Sequence, residues 1–321
     1  MENLVRETTL NVIEKAKDVK INREKIRELA EKWAKRKLII PAWPEKFHLQ
    51  TNNAKKLLDY LIILDSINFC FWSPDPKKEK WHISYQNKRY DGYFALSLAL
   101  KKFFEENPQK GSLNYFSRIS FQEFKEILQE GINLQFLKKR WQIARKVSNV
   151  LIKKYDNSLR FIKSANQKLS VLVPKIFKEL PFFNDISLYK GKKIYFLKRA
   201  QILPIDIWGA FGGKGIGYFK NLDYLTAFAD YKVPQILHKL GILEYSPVLM
   251  KKIKNRILIP AGSKKEVEIR SATIWAIEYL KKALKNLGKE FYSFQIDWIL
   301  WNKSQKIKIN TPYHLTKTIF Y

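Results

Sequence analysis

The sequence predicts a mainly α-helical protein with little β-sheet. Apolar residues recur at helical spacing through most of the 321 residues, and one short segment has the signals of a β-hairpin. Strands do not alternate with helices, which argues against a Rossmann fold or a (β/α)8 barrel. Because 46% of the residues are hydrophobic and 14% are aromatic, a sizeable core can form, and a disordered or low-complexity chain is excluded.

The amino-terminal elements are amphipathic helices. Residues 3–37 are charged, with apolar residues at helical spacing, and they predict two surface helices that meet near Asn22. Pro41 and Pro44 end this pattern. We expect residues 1–45 to form a helical extension that packs on a single domain, and the two parts together to span residues 1–321.

The middle of the chain continues as helices around the hairpin. Aromatic and β-branched residues predict strands over 81–85 and 89–93, joined by a turn at 86–88. The helices predicted in this part cover residues 52–70, 94–106, 121–130, 134–155, 157–168 and 171–178.

Helices also dominate after Pro181, with clear start and stop signals. Gly241 ends one helix, and Ser246 and Pro247 begin another as N-cap and first residue. We predict a short strand over 193–197 and helices that cover residues 199–211, 218–230, 233–240, 266–285 and 293–304.

The charge of the chain is strongly positive. Lys and Arg number 60 and Asp and Glu number 30, so the net charge is +30. Such a charge attracts phosphate groups, whether of a nucleic acid, a membrane surface or a small molecule. A lysine-rich solvated surface is the alternative interpretation. Since the basic residues are spread along the whole chain, no segment stands out as a dedicated binding arm.

The sequence predicts neither a metal site nor a cofactor. The single cysteine, Cys70, excludes an internal disulfide and a zinc site built from several cysteines. The four histidines lack metal-ligand spacing, and His48 is either a surface residue or part of a cleft. The most apolar stretch, 57–72, is too short and polar to span a membrane, so we expect a cytoplasmic protein. We also expect it to be a monomer.

The glycines of segment 212–217 do not form a known nucleotide-binding motif. Lys214 is followed by Gly215 rather than Ser or Thr, as a P-loop would require, and Tyr218 stands where the dinucleotide fingerprint needs a small residue. A plain hairpin and a loop whose N–H groups bind a phosphate both remain open.

Two aspartates lie beside aromatic residues. Asp230 is flanked by Phe228 and Tyr231, and a carboxylate between rings is partly desolvated, as catalytic carboxylates often are. Asp297 and Trp301 are four residues apart and share one helix face, which suits hydrogen bonding to the edge of a base and stacking on its ring. The alternatives are a helix N-cap for Asp230 and an exposed residue of a core helix for Asp297.

Two resemblances follow from these segments. Residues 214–226 and 230–241 resemble the helix–hairpin–helix DNA glycosylases, in which a catalytic Asp opens the helix that follows a Gly-Ile-Gly hairpin and its helix. A stronger resemblance is found in eight blocks, residues 64–73, 90–96, 198–203, 206–209, 213–217, 228–235, 266–270 and 274–276. These blocks resemble the queuosine salvage proteins, the queuosine 5′-phosphate N-glycosylase/hydrolases.

The second resemblance implies a function. It implies a DNA-glycosylase-like helical fold and a hydrolase that releases queuine from queuosine 5′-phosphate, for reuse in tRNA modification. Asp230 is then the catalytic residue. Substrate-binding residues are then Phe228, Tyr231, Asp297 and Trp301 at the base, His48 at the base or its side arm, and Lys198 and Arg199 at the phosphate. Lys232 stands where the family usually has Arg.

The partners follow from this interpretation. The partner is a small nucleotide, with no stable nucleic-acid complex and no membrane. The alternatives are a DNA or RNA glycosylase that acts on a flipped base and a non-catalytic RNA-binding protein, which the charge and the aromatic residues would suit.

Overall fold

The computed structural model describes residues 3–73, 75 and 78–321, and these residues are mainly helical. The α-helices are α1 (Leu4–Ile13), α2 (Arg23–Ala34), α3 (Ala54–Ser66), α4 (Gly92–Glu106), α5 (Leu113–Arg118), α6 (Phe121–Ile127), α7 (Leu137–Tyr155), α8 (Ser158–Lys163), α9 (Leu169–Glu179), α10 (Lys198–Ala210), α11 (Lys232–Lys239), α12 (Pro247–Lys254), α13 (Lys264–Asn286) and α14 (Ser293–Lys306). The prediction of a mainly α protein is confirmed.

The strands are short and form three antiparallel pairs. They are β1 (Val19–Ile21), β2 (His82–Tyr85), β3 (Lys88–Asp91), β4 (Ile186–Tyr189), β5 (Lys192–Tyr195) and β6 (Leu243–Tyr245). The predicted hairpin is β2–β3, and Gln86 and Asn87 form its turn with positive φ angles of 49° and 57°. The strand predicted over 193–197 is β5, and its partner β4 was not predicted.

The amino-terminal helices pack on the rest of the chain. The predicted extension, residues 1–45, is described from residue 3 onward. Helices α1 and α2 both contact α13, and β1 pairs with β6, so that Val19 lies opposite Tyr245. The two helices meet near Asn22, as predicted, and Asn22 is the N-cap of α2, where it accepts a hydrogen bond from the N–H of Lys25.

The hydrophobic core runs from α1 to the residues after α14. Helix α3 lies inside it, with Leu57 to Ser66 all buried, and α10 and α13 are also largely buried. In the part of the chain that the structure describes, no helix is long and apolar enough to cross a membrane.

One predicted helix is wrong. Residues 218–230 form no α-helix; they contain a short 3-10 turn at Leu222–Tyr224. Residues 225–230, called the extended segment below, begin in an extended conformation at Leu225 and have no regular secondary structure. The cause is that side chains from other elements satisfy the backbone of this segment. Gln201 Oε1 accepts the N–H of Thr226 at 2.9 Å, for example. The helix that the resemblance to DNA glycosylases implies after the glycine hairpin is therefore not present in this segment.

Candidate active site

A cavity of about 330 Å³ lies where α10, the extended segment before α11, and α14 meet. Residues 41–44 between α2 and α3, residues 68–72 after α3, the start of α4, and Tyr313 and Tyr321 after α14 also contribute to its walls. Aromatic side chains dominate the lining, and a few charged residues stand among them. The aromatic residues are Trp43, Phe69, Phe71, Trp72, Tyr93, Phe94, Phe228, Tyr231, Trp298, Trp301, Tyr313 and Tyr321, and the charged ones are Lys80, Asp91, Lys198, Asp206, Asp230, Lys232 and Asp297.

The structure brings most of the predicted site residues to this cavity. Six of them line it: Lys198, Phe228, Asp230, Tyr231, Asp297 and Trp301. They come from α10, from the extended segment and from α14, which are distant in sequence. His48 and Arg199 are not part of the lining.

Asp230 is fixed at the start of α11. Its Oδ1 accepts the backbone N–H groups of Lys232 at 2.8 Å and Val233 at 2.9 Å. The aspartate is therefore a cap and a cavity residue at once, and Oδ2 is left for a ligand. Burial raises the pKa of Asp230 above its ordinary value, while the positive charge of Lys198 and the two N–H groups lower it.

Asp297, on α14, also bonds to the backbone of the extended segment. Its Oδ2 accepts the N–H of Phe228 at 2.9 Å, two residues before Asp230. Burial raises the pKa of Asp297 well above its ordinary value, and the negative charge of Asp230 adds to this effect. The two aspartates thus share one region of negative charge, which Lys198 partly balances.

A buried ion pair fixes the backbone on both sides of the cavity. Arg270 binds Asp185 with both terminal nitrogens, at 2.9 and 2.6 Å, and its Nε donates to the carbonyl of Ala229 at 3.1 Å. Asp185 Oδ2 also accepts the N–H of Lys198 at 3.2 Å. The pair therefore joins the residue before Asp230 to the first residue of α10.

A second pair of acidic residues, besides Asp230 and Asp297, lies at the far end of the cavity. Asp206 lines the cavity and accepts a hydrogen bond from the hydroxyl of Tyr93 at 3.1 Å. Burial raises the pKa of Asp206 to about 7. Asp65 is buried behind it on α3, and burial together with the charge of Asp206 raises the pKa of Asp65 well above its ordinary value.

The residues at this end were not predicted as site residues. Asp206 lies eight residues after Lys198 on α10, so the two share a helix face, and this spacing is the signal that could have identified it. Nothing in the sequence pairs Asp206 with Asp65 or Tyr93, because these three residues come from three different helices.

His48 lies behind the cavity wall rather than in it. Its ring stacks on Trp43 with the ring centres 4.0 Å apart, and Nδ1 lies 3.2 Å from the hydroxyl of Tyr60. The side chain is fully buried, and burial lowers the pKa of His48 to about 3. His48 is therefore neutral, and it supports Trp43 and Tyr93, which do line the cavity.

Arg199 points into the core. Its guanidinium donates to the carbonyls of Ser66 and Phe182 and lies over the rings of Phe69 and Phe183. The residue is 1% exposed and contributes no group to the cavity. The expected phosphate contact of Arg199 is not supported by this placement, because successive residues of a helix point about 100° apart and only Lys198 faces the cavity.

Two further lysines lie along the cavity. Lys232 Nζ lies 5.2 Å from the ring centre of Tyr313, and Lys80 Nζ lies 3.2 Å from Asp91. Neither was predicted as a binding residue from its sequence context. Among the described residues, no three His, Cys, Asp or Glu side chains are arranged to hold a metal ion.

The arrangement is suited to cleaving a bond that leaves a positive charge on carbon. A buried carboxylate stabilises such a charge electrostatically or attacks the carbon. Aromatic walls stack on a planar base, and a second carboxylate accepts hydrogen bonds from its edge. Lysines bind a phosphate as point charges.

Comparison with known proteins gives a consistent result. The family model described as "Queuosine salvage protein" matches residues 47–321. The chain is 39% identical to the queuosine 5′-phosphate N-glycosylase/hydrolase of Sphaerobacter thermophilus, over 98% of this chain and 96% of the relative. It is 35% identical to the protein of that name in Dictyostelium discoideum, over 99% and 98% of the two chains. For the protein of that name in Mus musculus, the values are 30% identity and 98% of each chain.

Proposed function

Because this chain belongs to the queuosine salvage protein family, we propose that it hydrolyses queuosine 5′-phosphate to queuine and ribose 5-phosphate. One observation supports this activity most directly. Asp230, Asp297 and Lys198 line one aromatic cavity, so that a carboxylate for the sugar, an acceptor for the base and a cation for the phosphate lie together.

The reaction breaks the bond between C1′ of the ribose and the base nitrogen. The electrons of this bond leave with the base, and positive charge develops at C1′ and the ring oxygen. Asp230 stabilises this charge with Oδ2, because Oδ1 is already occupied by two N–H groups. The oxygen of a water molecule then bonds to C1′, either directly or by displacing Asp230 from a covalent bond to C1′. One proton of this water passes to the base nitrogen, so queuine is released neutral.

Queuine cannot receive the leaving-group assistance of a purine base, which is protonated at N7, so Asp297 holds the base and does not protonate it. It is a 7-deazaguanine and lacks N7, so the leaving base cannot be protonated there. Asp297 accepts hydrogen bonds from the guanine-like N–H groups through Oδ1, since Oδ2 binds Phe228. Phe228, Tyr231 and Trp301 stack on the base and exclude water from the reacting carbon.

The phosphate contact is assigned to Lys198 and Lys232. Both line the cavity, and the charge of each acts on Asp230. Lys232 replaces Arg199 as the second residue that we assign to the phosphate. A lysine in this position keeps the charge but not the two-pronged geometry of an arginine.

The test is the substitution Asp230→Asn. Asn keeps Oδ1 as an acceptor for the α11 cap but removes the charge that stabilises C1′. Release of queuine from queuosine 5′-phosphate should fall by about a thousandfold or more, while the melting temperature changes little. Asp156→Asn, an exposed carboxylate after α7, is the control and should keep full activity.

Two results would contradict the proposal in different ways. Failure of the wild-type protein to release queuine would contradict the proposed reaction. Near-normal turnover by Asp230→Asn would contradict the role of Asp230 alone. Binding of tRNA without queuine release would favour an RNA-binding protein, and removal of a base from duplex DNA would favour a repair glycosylase.

A further inference from the structure

The cavity continues beyond the residues that hold the sugar. Lys198, Ile202 and Asp206 follow one another at four-residue spacing on α10, and all three line the cavity. Eight residues of helix rise about 12 Å, so the backbone of Asp206 lies about that far along the helix from the backbone of Lys198, although the charge of Lys198 still acts on Asp206. A sugar and its phosphate near Lys198 and Asp230 leave the Asp206 end for another part of the substrate.

A row of contacts leads from the base position to this end. Asp297 and Trp301 are one turn apart on α14. The ring of Trp301 meets the ring of Tyr93 edge-on, with the centres 6.3 Å apart, and the Tyr93 hydroxyl donates to Asp206. A base held by Asp297 and stacked near Trp301 therefore has one edge directed toward Tyr93 and Asp206.

The chemistry of this end suits a cation or a group with several hydroxyls. Asp206 is 5% exposed, and Asp65 is buried behind it, so two carboxyl groups meet at the end of an otherwise aromatic cavity. The Tyr93 hydroxyl fixes one oxygen of Asp206. Asp65 also bonds to this carboxyl group, and Asp206 faces the cavity, where it can accept hydrogen bonds from a ligand.

The proposed substrate carries such a group. Queuine differs from 7-deazaguanine by an aminomethyl arm that bears a cyclopentene diol. The arm contains a secondary amine, which is protonated at neutral pH, and two hydroxyls. Guanine-like bases without the arm have nothing to place beside a carboxylate at this distance from the sugar.

We propose that Asp206, oriented by Tyr93 and with Asp65 behind it, binds the amine and the diol of this arm. Asp206 is then a specificity-determining residue that favours queuosine 5′-phosphate over nucleotides with an unsubstituted 7-deazaguanine. This inference rests on the proposed function, since it concerns the base that the enzyme releases.

The experiment compares Asp206→Asn with the wild type on two substrates. These are queuosine 5′-phosphate and 7-deazaguanosine 5′-phosphate, which has the same sugar, phosphate and base edge but no arm. We expect kcat/KM for queuosine 5′-phosphate to fall by about 10- to 100-fold, as for loss of a hydrogen bond to a charged group. The value for 7-deazaguanosine 5′-phosphate should stay within about twofold.

A matched control separates this role from the general loss of a buried carboxylate. Asp59 is fully buried on α3, bonds to Ser158 and the N–H of Leu113, and is absent from the cavity lining. Asp59→Asn should change both substrates equally or not at all. Tyr93→Phe, which keeps the ring but removes the hydroxyl that orients Asp206, should repeat the selective loss on a smaller scale.

Binding of the free bases keeps the two proposals apart. Calorimetry should show queuine binding the wild type more tightly than 7-deazaguanine, and Asp206→Asn should abolish that difference. Equal losses on both nucleotides, or an unchanged preference for queuine, would overturn the role of Asp206 while leaving the hydrolysis intact. Absence of queuine release by the wild type would instead contradict the proposed function, and the calorimetric comparison would still decide whether Asp206 recognises the arm.

Discussion

Lys198 and Asp230 control each other's charge inside the cavity. Burial raises the pKa of Asp230 and lowers the pKa of Lys198, and each residue opposes the shift of the other. In the proposed reaction, only the ionised form of Asp230 stabilises positive charge at C1′. The rate should therefore fall as the pH drops through the pKa of Asp230, at a pH above the 3.8 that is ordinary for Asp.

Replacing Lys198 by Met should move the fall in rate at low pH, the acidic limb of the pH profile, to higher pH. The substitution removes the cation that lowers the pKa of Asp230, so the carboxylate becomes protonated at a higher pH. The measurement is kcat/KM against pH for queuosine without its phosphate, so that loss of the phosphate contact does not interfere. Lys239→Met, at the exposed end of α11, is the control, and a limb that stays in place or moves to lower pH would contradict the coupling.

Residue types alone predicted the lining of the cavity unevenly. Asp230 and Asp297 were identified because each stands beside aromatic residues, and both line the cavity. Arg199 and its neighbour Lys198 were predicted to bind the phosphate from their motif position and charge, but the guanidinium of Arg199 donates hydrogen bonds to carbonyl groups in the core. A sequence shows a charge and not its partners, and the partners of Arg199 lie on segments distant from α10.

At the scale of elements, the segment before α11 owes its position to side chains from three other helices. Gln201 of α10, Asp297 of α14 and Arg270 of α13 each bond its backbone. Regular secondary structure would use the same N–H and C=O groups internally. The segment is extended because these partners replace a helix, and this places Asp230 at the cavity.

The substitution Arg270→Lys tests whether this support matters for catalysis. Lysine keeps the charge beside Asp185 but loses the fork that also reaches the carbonyl of Ala229. We expect kcat to fall by about 10- to 100-fold with little change in KM, because a small displacement of Asp230 affects the transition state more than binding. Steady-state kinetics at saturating substrate gives this separation.

A buried residue on the same helix provides the control for Arg270→Lys. Glu268 accepts the N–H groups of Lys17 and Asp18 and the hydroxyl of Tyr189, away from the cavity. Glu268→Gln should lower the melting temperature without changing kcat. If Arg270→Lys also lowers only the melting temperature, the ion pair is structural and does not position Asp230.

The elements that the sequence predicted are those with local signals. Ser246 caps α12, as its position predicted, because a cap bonds to residues only two or three positions away. Strands β1 and β6 are three residues long and pair across more than two hundred residues. No periodicity can appear in so short a strand, so their pairing could not be predicted.

At the scale of the whole molecule, the net charge of +30 far exceeds what one phosphate needs. Of the described basic residues, five are buried (Lys101, Arg140, Lys198, Arg199 and Arg270), and the three arginines among them are bonded to carbonyls or carboxylates. The remaining excess therefore belongs mainly to the surface. A field of this kind adds little to the final contact, but it attracts an anionic nucleotide from a distance and speeds its arrival.

This steering predicts a dependence on salt that follows the charge of the substrate. Salt shortens the range of the field from about 30 Å at 0.01 M to about 3 Å at 1 M. Between these concentrations, kcat/KM for queuosine 5′-phosphate should fall by about tenfold or more, mainly through KM, because capture of the anion slows. Queuosine without the phosphate is the control; since its arm carries a positive charge, its kcat/KM should stay constant or rise. Parallel declines for the two substrates would mean that salt acts on the protein itself, and the surface charge would then have no part in substrate capture.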